Sequence, residues 1–79
     1  MKINILVFGS LADVTGTTAL HIQAEDVTST GALQQYLITH FPGLAQKSYQ
    51  LAVNQQLSAT EQALREGDEV ALLPPFSGG

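Results

Sequence analysis

The groups in this sequence that could do chemistry are few, and the last of them is the chain end itself. Leu72-Leu73-Pro74-Pro75-Phe76-Ser77-Gly78-Gly79 runs from an apolar strand-like segment through two prolines to two glycines. Pro74 and Pro75 lack N–H groups and fix φ, so a sheet ladder cannot pass through them and the chain is held extended. Gly78 and Gly79 carry no side chains, so the final peptide units can enter a channel too narrow for any other residue. Six extended residues reach roughly 20 Å. The product is a stiff spacer with a sterically open carboxylate at Gly79. The alternative is a frayed terminus, the usual fate of a chain end.

The other reactive side chains do not assemble into a catalytic pattern. His21 falls in a strand-like run and His40 on the border of a helix, with no Ser-His-Asp or metal-ligand spacing joining them. A lone histidine of this kind is ordinarily a packed residue, not a ligand. Glu66, Asp68 and Glu69 cluster at a turn, where solvation and turn chemistry account for them. Gly9 and Gly67 are isolated, and Gly78-Gly79 opens no helix, so no phosphate loop is present. The chain has no cysteine, which removes thiolate nucleophiles, disulfides and Cys-based zinc sites. No bound metal or cofactor is expected, and no catalytic constellation supports a stand-alone enzyme.

Composition narrows the partners. The 79 residues are 44% hydrophobic and 13% charged, with a net charge of −4, which fits one small globular domain over residues 1–79. A chain of this size buries only about 60–65% of its unfolded surface, so its core is thin and has little room for a substrate pocket. Lys2, Lys47 and Arg65 are the only basic side chains besides the histidines, too few and too scattered to neutralise phosphates, so nucleic acid is excluded as a partner. No apolar run approaches membrane-spanning length and Met1-Lys2-Ile3-Asn4 opens directly into a strand pattern, so a cytoplasmic protein without membrane association is expected.

The elements that must position the tail follow from hydrophobic period. Residues 2–8 alternate as a strand, Ile3, Ile5 and Val7 on one face and Asn4, Leu6 and Phe8 on the other. Large apolar groups on both faces indicate a central strand. Leu11 to Val14 form a helical turn ending near Thr15-Gly16, and residues 17–23 form a second strand, antiparallel to the first, with Leu20 and Ile22 facing one way. Ser29 caps a helix whose Leu33, Tyr36, Leu37, His40 and Phe41 follow the helical period, and Pro42-Gly43 ends it, Gly43 supplying a permissive turn. Residues 50–53 are a third strand, Asn54-Gln55 a tight turn with positive φ, and the segment around Leu57 pairs back. Residues 59–65 are expected to form a loop with a helical turn that buries Leu64. Glu66-Gly67-Asp68 turns into a last strand, 69–73, and residues 74–79 form an extended flexible tail.

One helix has one apolar face to bury, so it lies across one face of a mixed sheet of four or five strands. The crossover through it brings the last strand parallel to the first. The expected fold is α+β, a ubiquitin-like β-grasp, with the opposite sheet face partly open. Phe8 has the parity of that open face, and Leu57 and Leu73 are candidates for the same surface. Either they fill the edges of a thin core, or they form a partner-binding patch beside the tail.

From Leu51 onward the residues resemble a known family. Leu-Ala-Val-Asn-Gln, then Glu-Gly-Asp-Glu-Val-Ala-Leu-Leu-Pro-Pro-Phe-Ser-Gly-Gly, is similar in order and spacing to the small subunits of molybdopterin synthase, which are ubiquitin-like sulfur carriers. The N-terminal strand, the Gly16 turn and the Thr30-Gly31 helix start fit as well. Two positions depart from the family's habit: Ala12-Asp13 stands where a basic-acidic pair is common, and Ala32 where an acidic residue is favoured.

The resemblance implies that Gly79 is adenylated by a ubiquitin-activating-type adenylyltransferase using Mg-ATP, then converted to a thiocarboxylate. It implies that Pro74, Pro75, Phe76, Ser77 and Gly78 thread this end into the large synthase subunit. There the sulfur builds molybdopterin from cyclic pyranopterin monophosphate, in a heterotetramer whose catalytic side chains belong to the large subunit. It implies also that Phe8, Leu57 and Leu73 pack on that subunit. Sulfur carriers for thiamine or tRNA thiolation share the Gly-Gly end but usually lack the Pro-Pro-X-Ser before it. A ubiquitin-like binding module that is never activated is the alternative of another class.

Overall fold

The computed structural model describes residues 2–23, 25–58 and 60–74. Five strands and one main helix follow in order: β1 (Lys2–Val7), α1 (Leu11–Thr15), β2 (Ala19–Gln23), α2 (Thr30–His40), β3 (Gln50–Val53), β4 (Gln56–Ser58) and β5 (Glu69–Leu73), with a 3₁₀ turn at Pro42–Gln46 after α2. The strands form one sheet in the order β2-β1-β5-β3-β4. β1 and β5 run parallel, with Asn4 opposite Glu69 and Val7 opposite Leu72, and the other neighbouring pairs are antiparallel. This is the mixed sheet, crossed by one helix, that the hydrophobic period predicts.

Alternation sets the layers. Ile3, Ile5 and Val7 of β1, Ile22 of β2, Leu51 and Val53 of β3, and Val70 and Leu72 of β5 are all buried on the helix side of the sheet. They meet Leu33 and Leu37 of α2, with Leu11, Val27, Leu44 and Leu64 closing the rim. Each such side chain contributes about 1.5–3 kcal/mol by leaving water. β1 is internal, as the apolar groups on both its faces require.

Boundaries differ from the sequence expectation where side chains compete for the backbone. β2 starts at Ala19 rather than Thr17 because Thr15 and Thr17 turn their hydroxyls onto the carbonyls of Thr17 and Ala19, at 2.8 and 3.0 Å. At the helix entry, Ser29 is extended and its Oγ accepts from the Ala32 N–H at 3.2 Å, the predicted cap. At the exit, Pro42 and Gly43 do not form an open turn with positive φ. They begin the 3₁₀ turn, and Gly43 is needed for closeness, since a Cβ there would lie 2.9 Å from Cγ1 of Val14. His40 is exposed, not packed on an apolar border, and its ring lies against Tyr36 with centroids 4.1 Å apart. The Asn54-Gln55 turn has φ of 51° and 73°, the mirror-image geometry that suits the twist of a two-residue hairpin.

The helical turn expected within residues 59–65 is absent from the described residues. After a bend at Thr60, residues 61–64 instead pass alongside the start of α2, where Ala63 bridges Ser29. Thr30 N–H donates to the Gln62 carbonyl at 2.9 Å, Leu64 N–H to the Thr28 carbonyl at 2.9 Å, and Gln62 N–H to Oγ1 of Thr30 at 3.0 Å. Backbone partners on the helix entry replace the local partners a helical turn would use, and Leu64 is still buried. Thr30 is itself 4% exposed. Thr30→Val keeps the side chain's shape but orphans the Gln62 N–H, so chemical denaturation should show a loss of about 1–3 kcal/mol without loss of the fold.

Candidate functional site

The sheet face away from α2 carries no covering element among the described residues. Its cross-strand register places Leu57, Ala52, Ala71, Leu6 and Ala19 in one row across the sheet. Leu73 stands opposite Gln50 in the next row, and Phe8, one residue beyond the Val7–Leu72 pair, falls beside Leu73. The ladder outlasts β1, since Phe8 N–H donates to the Leu72 carbonyl at 3.1 Å. Phe8 is 45% exposed and Leu57 65%, while Leu73 is half-buried. Phe8, Leu57 and Leu73 therefore share one surface, and two of them stand out from it over a floor of alanines.

The floor is what sequence reasoning missed. Leu6 has the open-face parity, and the signal for the floor is that Ala52 and Ala71 each interrupt a run of large core residues, whereas Ala19, after two threonines, has no such signal. Without long side chains they leave the sheet backbone shallow there, so that an apolar partner group can approach closely between Leu57, Leu73 and Phe8. Contiguous exposed apolar surface of this kind marks an interaction site more often than an accident of packing.

The other end of the same face is polar. Nδ1 of His21 and Oδ1 of Asn4 are hydrogen-bonded at 2.7 Å. Asn54 donates through Nδ2 to Oδ1 of Asp68 and accepts from Glu69 N–H, both at 3.1 Å, while Oδ2 of Asp68 accepts from Arg65 N–H at 2.8 Å. Oε1 of Glu66 accepts from Lys2 N–H at 3.0 Å. The carboxylates of Asp68 and Glu66 are thus engaged in turn construction, as their spacing indicates, and His21 does not meet His40. Among the described residues, no group of three or more His, Asp or Glu side chains could hold a metal ion.

Grooves elsewhere offer little chemistry. One of about 380 Å³ is lined by Gln34, Tyr49, Gln50, Leu51, Leu57 and Ser58. Tyr49 is the one titratable group in it, and burial pushes its phenol above the ordinary value of 10.0, which keeps it neutral. A neutral phenol without a neighbouring base is not a nucleophile.

At the apolar end of the open face the chain leaves β5 through Pro74, which is half-buried against the corner after β1. The remaining tail positions of the sequence reading, Pro75, Phe76, Ser77, Gly78 and Gly79, lie outside the described residues. A helix across one face of a five-stranded mixed sheet, with the last strand parallel to the first, is a ubiquitin-like β-grasp fold. Among solved structures, SAMP1 from Haloferax volcanii superposes with a TM-score of 0.82 at 25% identity, covering all of both chains. The sequence profile of the ThiS family matches residues 5–79, and the chain belongs to that family. The molybdopterin synthase sulfur carrier subunit of Chlamydomonas reinhardtii is 34% identical over the whole of both chains. A chain in the complex of subunits 1 and 2 of molybdopterin-converting factor from Helicobacter pylori matches with a TM-score of 0.72 at 27% identity, again over all of both chains.

If Phe8 serves contact rather than core, a charge there is tolerated by the fold. Phe8→Asp should lower stability by no more than about 1 kcal/mol, whereas Ile5→Asp, at a position with no exposure, should abolish folding. Thermal melts of the two variants separate the cases.

Proposed function

We propose that this chain is the sulfur carrier subunit of a molybdopterin synthase and that its working group is the Gly79 carboxylate. The observation that carries the reading is the junction of two features at one end of the sheet. The exposed apolar face of Phe8, Leu57 and Leu73 borders Pro74, the residue from which the Pro-Pro-Phe-Ser-Gly-Gly end departs. The full-length likeness to carrier subunits of that name supports it, as does the Helicobacter pylori neighbour, which sits in a complex of subunits 1 and 2 of molybdopterin-converting factor.

The chemistry follows from the weakness of a carboxylate as an acyl donor. In the proposed cycle a ubiquitin-activating-type adenylyltransferase, with Mg-ATP, lets the Gly79 carboxylate attack the α-phosphorus, and pyrophosphate leaves. A sulfide equivalent then attacks the acyl carbon and expels AMP, leaving a thiocarboxylate. On the large subunit this sulfur attacks a carbon of cyclic pyranopterin monophosphate, the carbon–oxygen bond there breaks and the oxygen departs, and hydrolysis of the acyl–sulfur bond restores the carboxylate. A second charged carrier supplies the second dithiolene sulfur in the same way. The bare glycines suit entry into two different narrow sites. The catalytic side chains then belong to the partners, in a complex of two small and two large subunits located in the cytoplasm.

Intact-mass measurement of the chain incubated with activating enzyme, Mg-ATP and a sulfur source tests the reading. One oxygen of Gly79 should be replaced by sulfur; a chain that stays unmodified refutes the carrier role and leaves the binding-module alternative. Gly79→Ala should melt as the parent does but accept or deliver sulfur at least about tenfold more slowly, because a Cβ must be fitted where the site admits none. Phe8→Asp should weaken association with the large subunit by about 2 kcal/mol or more, as expected of an aromatic contact at an interface centre.

A further inference from the structure

Resting on that reading, we propose that Gly9 is a positioning residue, the shelf on which the root of the tail is held in fixed register with the docking face. A Cβ built on Gly9 would lie 2.9 Å from Cγ of Pro74, 3.6 Å from its Cδ and 3.7 Å from its Cβ. The proline ring therefore sits where a side chain at residue 9 would be. Pro74 has no N–H with which to join the ladder, so contact with this corner takes the place of a hydrogen bond.

The corner cannot retreat to make room. On one side, Phe8 N–H is tied to the Leu72 carbonyl at 3.1 Å, and on the other the Gly9 carbonyl accepts from Ala12 N–H at 3.1 Å. Leu11, two residues on, is 1% exposed in the core. A side chain at residue 9 is accommodated by moving Pro74, and with it everything that follows. Phe8 is the neighbour of Gly9 in sequence and a member of the exposed face. The same dipeptide thus contacts the partner and seats the tail root, so that docking fixes where the tail begins. An error of about 1 Å in the placing of a reacting group can cost a hundredfold in rate.

Gly9 also has φ of +61°, which any L side chain resists, so steric and backbone effects must be separated. Gly16 provides the control: its φ is +77°, and a Cβ there would have nothing within 4 Å. Gly9→Ala, Gly16→Ala, Pro74→Ala and the Gly9→Ala/Pro74→Ala double variant are compared in full-length chains. Two readouts are used: amide relaxation at Leu73 in the free protein, and single-turnover sulfur transfer with saturating large subunit.

Gly9→Ala should raise the fast mobility of the Leu73 amide and slow transfer at least about tenfold, with the affinity for the large subunit changed less than about threefold. Gly16→Ala should lose similar stability but neither effect. The double variant should transfer no more slowly than Pro74→Ala, because removing Cγ and Cδ leaves ordinary contact distance, and this non-additivity is the signature of the contact. Equal defects in Gly9→Ala and Gly16→Ala would reduce the effect to backbone strain and overturn the proposal, as would additive losses in the double variant. If the parent chain never acquires sulfur, the carrier role fails; the Leu73 relaxation still decides whether Gly9 seats Pro74.

Discussion

The parallel pairing of β1 with β5 is the contact on which the rest of the molecule depends. It joins the two ends of the described chain, so the whole connection through β2, α2, β3 and β4 must be closed before any of its bonds can form. The entropy of closing a long loop grows only with the logarithm of its length, and the ladder is backed by Ile5, Val70 and Leu72, none of which is exposed. The pairing's functional consequence is local. Because β5 runs beside β1 and in the same direction, Leu73 and Pro74 come out at the end of β1, next to Phe8 and Gly9. An antiparallel β5 would deliver the tail to the polar end, near Asn4 and His21.

The division of residues between the two sheet faces follows from having a single long helix. Large β-branched and leucine side chains face α2, where two fully buried leucines of the helix meet them. The opposite face cannot be covered by the same helix, and there the chain places alanines at three strands. Ala52 is only 6% exposed, sheltered by the neighbouring strands and Leu57. On this face the sheet is thus already dry at Ala52 of β3, while Phe8 and Leu57 remain exposed. Leaving them there forgoes stabilisation that burial would supply, which docking of the proposed partner on this face would restore. The net charge of −4 keeps such a chain soluble meanwhile.

Much of this was legible because period and turn chemistry agree. The alternation of β1, the Ser29 cap, the Asn54 turn and the bounds of β5 all rest on local rules, and the structure follows them. What was not legible depends on contacts distant in sequence. Residues 60–64 lack a helical turn because their hydrogen-bond partners are Thr28 and Thr30, which no local pattern reveals. Gly43 looked like a turn residue, but its smallness serves Val14. Ala32, where the family favours an acidic residue, is another instance. A Cβ on the adjacent Gly31 would lie 2.8 Å from Oε1 of Glu61, so a carboxylate reaches the start of α2 from the opposing loop and favours the helix dipole from there.

The carrier role proposed above would ask little chemistry of the domain itself. A carrier that visits an adenylating site and a transfer site cannot bring side chains suited to both, because groups that stabilise one transition state are misplaced for the other. What it can bring to each is a surface that fixes orientation and a reactive end of minimal bulk. In the proposed role, the apolar face beside Pro74 would answer the first need and the Gly79 carboxylate the second. The two requirements conflict unless the junction between them is defined, since a reactive end on an unanchored stalk loses effective concentration as the volume it explores grows. The proposed seat of Pro74 on Gly9, where the chain is tied into both the ladder and α1, would reconcile them by fixing where the end begins.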